Sequence, residues 1–157
     1  MSWGEWHKKW GHLGKVDPLG RKRYLANLMA LDDGISKLLD SLEEADQLNN
    51  TILIFLSDNG GTINTYSNNA PLRGYKYMFG EGGIRVPLIV AWPGKFSGGM
   101  SNNSLASAMD IFPTLLDLLD SERPENLDGK SLVSTLKKKE TGGVHDYLCW
   151  SDGRGTS

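Results

Sequence analysis

The sequence predicts an α/β fold, and three stretches carry the prediction. Residues 21–48 repeat apolar side chains at helical spacing. Thr51 to Leu56 follow as a run rich in Ile, Leu and Phe, bounded by turn residues, which reads as a strand buried on both faces. A second apolar run, Leu88 to Trp92, is closed by Pro93-Gly94. A helix that leads into a buried strand is half of a βαβ repeat.

The two strand-like runs bracket a loop that carries both signs of charge. The first run stops at Ser57-Asp58-Asn59-Gly60-Gly61, a carboxylate beside an amide oxygen. The carboxyl ends of strands are where α/β sheets bind ligands. Beyond it lie Leu72-Arg73-Gly74-Tyr75-Lys76 and Glu81-Gly82-Gly83-Ile84-Arg85-Val86-Pro87. Gly80, Gly82 and Gly83 point to positive φ or to close approach of backbones.

Four ordered motifs in this stretch resemble the sulfatase family of the alkaline-phosphatase-like superfamily. They are Ser57-Asp58-Asn59-Gly60, Asn69-Ala70-Pro71-Leu72-Arg73-Gly74-x-Lys76, Glu81-Gly82-Gly83-Ile84-Arg85-Val86-Pro87 and Trp92-Pro93-Gly94. One Asp-Asn-Gly is weak evidence, whereas four motifs in order and at family spacing are strong. The resemblance runs from about Tyr24 to Leu136 and implies the C-terminal half of a sulfatase catalytic domain. The fold it implies is part of a mixed, mostly parallel sheet flanked by helices, incomplete in this chain. The expected organisation is a Trp-rich segment over 1–20, a partial catalytic domain over 21–140, and the start of a further subdomain over 141–157.

Each site residue has a functional and a plainer reading. Asp58 and Asn59 offer hard oxygen donors of the kind Ca²⁺ takes six to eight of; an Asx turn explains the same residues without metal. The resemblance implies the metal role in a complete enzyme, with the remaining acidic ligands outside this stretch. Lys76 is either a solvated lysine or, as the Arg-Gly-x-Lys motif implies, a compact cation against the sulfate group. Arg73 is read as structural, an ion pair that fixes the loop, and Glu81 and Arg85 as able to pair with each other. Tyr75, Tyr77, Met78 and Phe79 are read as core packing ahead of pocket lining.

The remaining elements follow in order. Trp3, Trp6 and Trp10 share a face if helical, for packing or for stacking on sugars. His7 and His12 are five apart and lack a zinc-ligand pattern. The helix stripe is Leu25, Leu28, Met29, Asp32, Ile35, Leu38, Leu39 and Leu42, in which Asp32 needs a polar partner or a marginal place. Residues 64–69 read as a polar surface loop and 95–104 as a second loop. Asp110 is read as the N-cap of a helix with Pro113 in its first turn and Leu115, Leu116, Leu118 and Leu119 on its buried face. Leu127 to Leu132 turn into a short helix ending near Lys138, and Tyr147 to Trp150 read as a strand. Cys149 matches no Cys/Ser-x-Pro-x-Arg motif and is read as a buried small side chain.

Composition narrows the function classes. The 157 residues suffice for a domain with a core, and 39% hydrophobic with 23% charged residues is ordinary for a globular protein. A net charge of −2 gives no electrostatic case for nucleic acid or an anionic membrane surface. No apolar run approaches the roughly 20 residues of a membrane span. Met1 to His12 show no signal-peptide pattern, although relatives of the resembled family are often exported. One cysteine excludes an internal disulfide.

The expected function is hydrolysis of sulfate esters, with sulfated carbohydrate as a candidate substrate. The chain is expected to be inactive by itself, because the family's formylglycine-forming motif is absent from it. A non-catalytic sulfated-glycan-binding or degenerate sulfatase-derived protein is the alternative. A phosphodiesterase or phosphonate hydrolase on the same scaffold is a weaker one; Asn59, where many metal-dependent phosphoesterases carry His, argues against it. Two strands cut from a larger sheet present open edges, so self-association is also expected.

Overall fold

The computed structural model describes residues 19–62, 66–137 and 143–151. Trp3, Trp6, Trp10, His7 and His12 lie outside them. The elements are α1 (Leu19–Glu44), β1 (Leu53–Leu56), α2 (Glu81–Ile84), β2 (Leu88–Ala91), α3 (Ile111–Leu118) and α4 (Val133–Lys137). Single 3₁₀ turns precede β1 at Leu48–Asn50 and α3 at Ala108–Asp110. The chain divides into two compact units, Met1–Ile89 and Val90–Ser157.

β1 and β2 are neighbours in a two-stranded sheet. The Ser57 amide, just after β1, donates to the Pro87 carbonyl, just before β2, at 3.4 Å. The end of one strand therefore lies beside the start of the other, and the pair is antiparallel. Neither strand is buried on both faces: Phe55, Leu56 and Ile89 are exposed. Two short strands by themselves lack the layers needed to cover two apolar faces.

α1 forms where the apolar spacing places it but buries no residue fully. Leu25, Met29, Ile35, Leu39 and Leu42 are half-buried, while Leu28 and Leu38 are exposed, so the covered stripe is narrower than the sequence predicts. Asp32 is exposed, which satisfies its carboxylate with water. The helix stops before Leu48. Asp46 takes φ +53°, its amide donates to the Glu43 carbonyl at 2.9 Å, and the Gln47 amide donates to the Leu42 carbonyl at 2.8 Å. These are the two bonds of a Schellman motif, with an aspartate in the left-handed position that glycine ordinarily takes. α3 ends the same way, with Asp120 at φ +51° and the Ser121 amide on the Leu116 carbonyl at 2.8 Å.

In the unit 90–157, Trp92 and Leu132 are the buried large apolar side chains among the described residues. Besides Pro113, the other buried residues of the unit are polar. Asp110 is fully buried, and its side chain does not cap the first turn of α3. It reaches back instead to the Ser107 amide at 2.7 Å and across to the Lys130 amide at 2.7 Å. His145 Nε2 stands 2.9 Å from both of its oxygens. Thr114, also buried, donates to the Asp110 carbonyl at 2.5 Å and accepts from the Leu132 amide at 2.8 Å. One carboxylate thus ties together the entry to α3, the turn before α4, and the segment carrying His145. Leu119 is exposed, so the buried part of α3 is its first turn, Pro113 and Thr114, rather than its leucines.

Two predictions for the last stretch fail. Tyr147 to Trp150 form no strand, and a single bridge is assigned at Ser151. A strand needs a ladder along its length. Without one there is no sheet face to cover Cys149, which is exposed.

Candidate functional site

The site is assembled where β1 runs out, by backbone rather than by side-chain packing. The buried residues of this region are Gly60, Gly82 and Gly83. The Gly60 amide donates to the Gly83 carbonyl at 2.8 Å, and a Cβ on Gly60 would stand 1.8 Å from the Gly82 carbonyl oxygen. The Gly82 amide donates to the Arg73 carbonyl at 2.7 Å, and a Cβ there would stand 2.3 Å from the Gly74 carbonyl oxygen. Close approach, not positive φ, is what these two positions require. The Lys76 amide donates to the Gly61 carbonyl at 3.1 Å. Three separate sequence motifs therefore interlock main chain to main chain.

Asn69 is the clamp of this cluster. Its Oδ1 accepts from the Gly61 amide at 3.0 Å. Its Nδ2 donates to the Gly61 carbonyl at 2.9 Å and to the Gly74 carbonyl at 3.1 Å. In the sequence Asn69 both closes the polar loop 64–69 and opens the Asn-Ala-Pro-Leu-Arg motif, and the motif is the signal that marks it out.

Asp58 is exposed and Asn59 half-buried. The Ser57 hydroxyl donates to the Asn59 carbonyl at 2.8 Å, and Asn59 Nδ2 donates to the Gly60 carbonyl at 3.1 Å. These bonds give the turn a local reason to form, and neither of them uses the Asp58 carboxylate or Asn59 Oδ1, the two hard oxygen donors. That chemistry suits Ca²⁺, but the donor number is short of six to eight. Among the described residues no three His, Cys, Asp or Glu side chains cluster as a metal site.

Lys76 is half-buried, with Nζ 5.4 Å from the centroid of the Tyr77 ring. Arg73 is exposed and makes no ion pair among the described residues; its carbonyl, through Gly82, fixes the loop in place of its guanidinium. Glu81, which opens α2, and Arg85, just past its end, pair with each other at 3.4 Å, and both are largely exposed. Such a pair contributes about 0–1 kcal/mol. Tyr77 and Met78 are exposed and so are not core, whereas Tyr75 and Phe79 are half-buried.

The family model described as Sulfatase matches residues 13–121. The chain belongs to the sulfatase family. Its fold is accordingly alkaline-phosphatase-like, and the antiparallel β1–β2 pair is a part of the mixed sheet. An uncharacterized sulfatase, YdeN of Escherichia coli K12, is 38% identical over 130 residues, which cover 81% of this chain and 23% of that sulfatase. Among solved structures, i-CgsB from a complex with k-i-k-neocarrahexaose superposes with a TM-score of 0.80 at 32% identity, over 90% of this chain and 31% of that one. BT4656, solved with its substrate D-glucosamine-2-N,6-O-disulfate, superposes with a TM-score of 0.68 at 27% identity, over 85% and 27% of the two chains. This sulfatase chain thus spans about a quarter of the length of the curated relatives it matches. No helix among its described residues is long and apolar enough to cross a membrane.

Proposed function

We propose that this chain carries one edge of the active site of a sulfate-ester hydrolase, with Lys76 against the sulfate group and Asp58 and Asn59 as ligands of a hard divalent cation. The observation that carries the reading is the interlock of Gly60 with Gly83 and of Gly61 with Lys76, which brings the Asp-Asn-Gly, Arg-Gly-x-Lys and Glu-Gly-Gly motifs into one cluster at the end of β1. An ammonium on the same backbone cluster as a carboxylate–amide pair suits an ester whose leaving oxygen gains negative charge. Bound Ca²⁺ would supply Lewis-acid polarisation of sulfate oxygens. Lys76 binds and orients the anion, and the backbone lattice keeps its position from relaxing as charge develops. The solved relatives named above were determined with k-i-k-neocarrahexaose and with D-glucosamine-2-N,6-O-disulfate, which supports a sulfated sugar as the substrate class.

By itself the chain is proposed to bind sulfate esters without turning them over, since the sequence contains no Cys/Ser-x-Pro-x-Arg segment. The test is retention of the purified chain on a sulfated-glycan column at low salt, with an aryl-sulfate turnover assay in parallel. Retention that Lys76→Ala abolishes supports the reading; retention indifferent to Lys76, or turnover that survives Asp58→Ala, overturns it. A Ca²⁺-dependent rise in melting temperature, absent in Asp58→Ala, tests the cation ligands without recourse to activity. The open apolar faces of α1 and of β1 and β2 further imply self-association, and a concentration-independent monomer in sedimentation would contradict that.

A further inference from the structure

One side chain in the loop cluster is not explained by packing. Tyr77 is 89% exposed, although Tyr75, Lys76 and Phe79 beside it are half-buried. Its backbone stands at φ +78°, in a region that L residues rarely enter. The Met78 amide donates to the Tyr75 carbonyl at 2.9 Å, which makes Tyr75 to Met78 a hydrogen-bonded β-turn with Tyr77 at its third position. A positive φ at that position is the mark of a type II turn, where glycine or asparagine is ordinary and a bulky aromatic is costly. The chain therefore bears local strain to hold a phenol ring in water. Strain of this kind, where it is observed, is a pointer to function.

The ring is also placed. Lys76 Nζ lies over it, 5.4 Å from its centroid, so the cation and the aromatic surface are adjacent. A sulfate ester has the matching layout, an anionic head joined through one oxygen to its alcohol carbon. When the alcohol is a sugar, that carbon belongs to or adjoins a ring whose C–H face is apolar. The C–H face of a sugar packs well on the electron-rich face of an aromatic ring. A small alkyl sulfate has nothing to place there.

We infer that Tyr77 is a specificity-determining platform that stacks against the sugar of a sulfated carbohydrate while Lys76 holds its sulfate. The inference rests on the sulfate-site reading of Lys76 and adds to it a residue that selects carbohydrate over simple sulfate esters. The positive φ aims the ring outward; the ring supplies the contact.

The test is ligand-observed NMR titration of the full chain with two probes, glucosamine 6-sulfate and methyl sulfate. Tyr77→Gly removes the ring but suits the positive φ, so the turn survives; Tyr77→Phe keeps the ring. The expected result is that Tyr77→Gly weakens glucosamine 6-sulfate on the order of tenfold and leaves methyl sulfate unchanged, with Tyr77→Phe close to wild type. Equal weakening of both probes in Tyr77→Gly, or no weakening of the sugar probe, overturns the platform. Lys76→Ala separates the two ideas. If it binds both probes as well as wild type, the sulfate-site reading has failed. If it loses both while Tyr77→Gly loses neither, only the platform has failed. A wild-type chain that binds neither probe overturns both.

Discussion

Replacing Asn69 with alanine removes three hydrogen bonds at once, at 2.9, 3.0 and 3.1 Å, from one half-buried side chain. A neutral hydrogen bond contributes about 0.5–1.5 kcal/mol net, so full loss of three amounts to about 1.5–4.5 kcal/mol. Water can reach a half-buried site and replace part of this, which brings the expected cost to about 2 kcal/mol, or roughly thirtyfold in a local opening equilibrium. The Gly61 carbonyl serves both Asn69 Nδ2 and the Lys76 amide, so the loss is felt at Lys76. Native-state amide exchange reads such local openings residue by residue. Exchange at Gly61 and Lys76 should quicken roughly thirtyfold in Asn69→Ala. Asn69→Asp should be no milder, because a carboxylate is acceptor-only and would face the Gly61 and Gly74 carbonyls. Asn68 provides the control: its side chain makes one exposed bond, accepting from the Ala70 amide at 3.0 Å. Asn68→Ala should stay within about twofold of wild type. Unchanged exchange at Gly61 and Lys76 in Asn69→Ala, or equal changes in the two alanine variants, would refute the clamp.

Further expectations follow from other parts of the structure. Gly82→Ala sets a Cβ 2.3 Å from a backbone oxygen that cannot yield, and should destabilise by about 2 kcal/mol or more in urea unfolding. Gly34→Ala, in α1 with open space around it, should instead stabilise by about 0.5–1 kcal/mol, so equal effects from the two would discredit the packing argument. Asp110→Ala strands the Ser107 and Lys130 amides and His145 together and should cost about 3–5 kcal/mol, with Asp110→Asn milder; a neutral result for alanine removes the carboxylate from the centre of its unit. The Ser131 hydroxyl first, and then Arg123, hold the Asp117 carboxyl below its ordinary value of 3.8. A depressed folded-state pKa means that its contribution to stability is present above about pH 3.8 and is lost as the pH falls through the lowered value. Ser131→Ala should therefore raise the Asp117 titration midpoint by NMR; a midpoint that stays put would show that the hydroxyl is not the cause.

What was legible in the sequence follows from what local chemistry decides. Helical spacing sets where α1 lies, and β-branched runs bounded by turn residues set β1 and β2 to within a residue or two. The four ordered motifs place the chain in its family, because residue type and spacing along a loop are visible in one dimension. Where α1 stops was not legible, since it depends on Asp46 adopting a left-handed backbone that glycine usually takes. Burial was misjudged for the same elements that were correctly assigned. An apolar run states what a strand requires, whereas only the count of covering layers decides whether it is met.

The tertiary structure alone decided the contacts between residues far apart in the chain. Asp110 looks like a helix cap from its neighbours and becomes the buried hub of its unit only when Lys130 and His145 arrive from 20 and 35 residues away. Asn69 is one of several polar loop residues until Gly61 and Gly74 come within reach of both ends of its amide. Tyr77 is an aromatic in an aromatic-rich loop until the turn that carries it points the ring at water beside Lys76. Sequence determines which groups are available and how the chain turns locally. Which donor meets which acceptor, and which ring is left exposed, is settled by chain closure, because those energies exist only once distant backbone segments are held within hydrogen-bond reach.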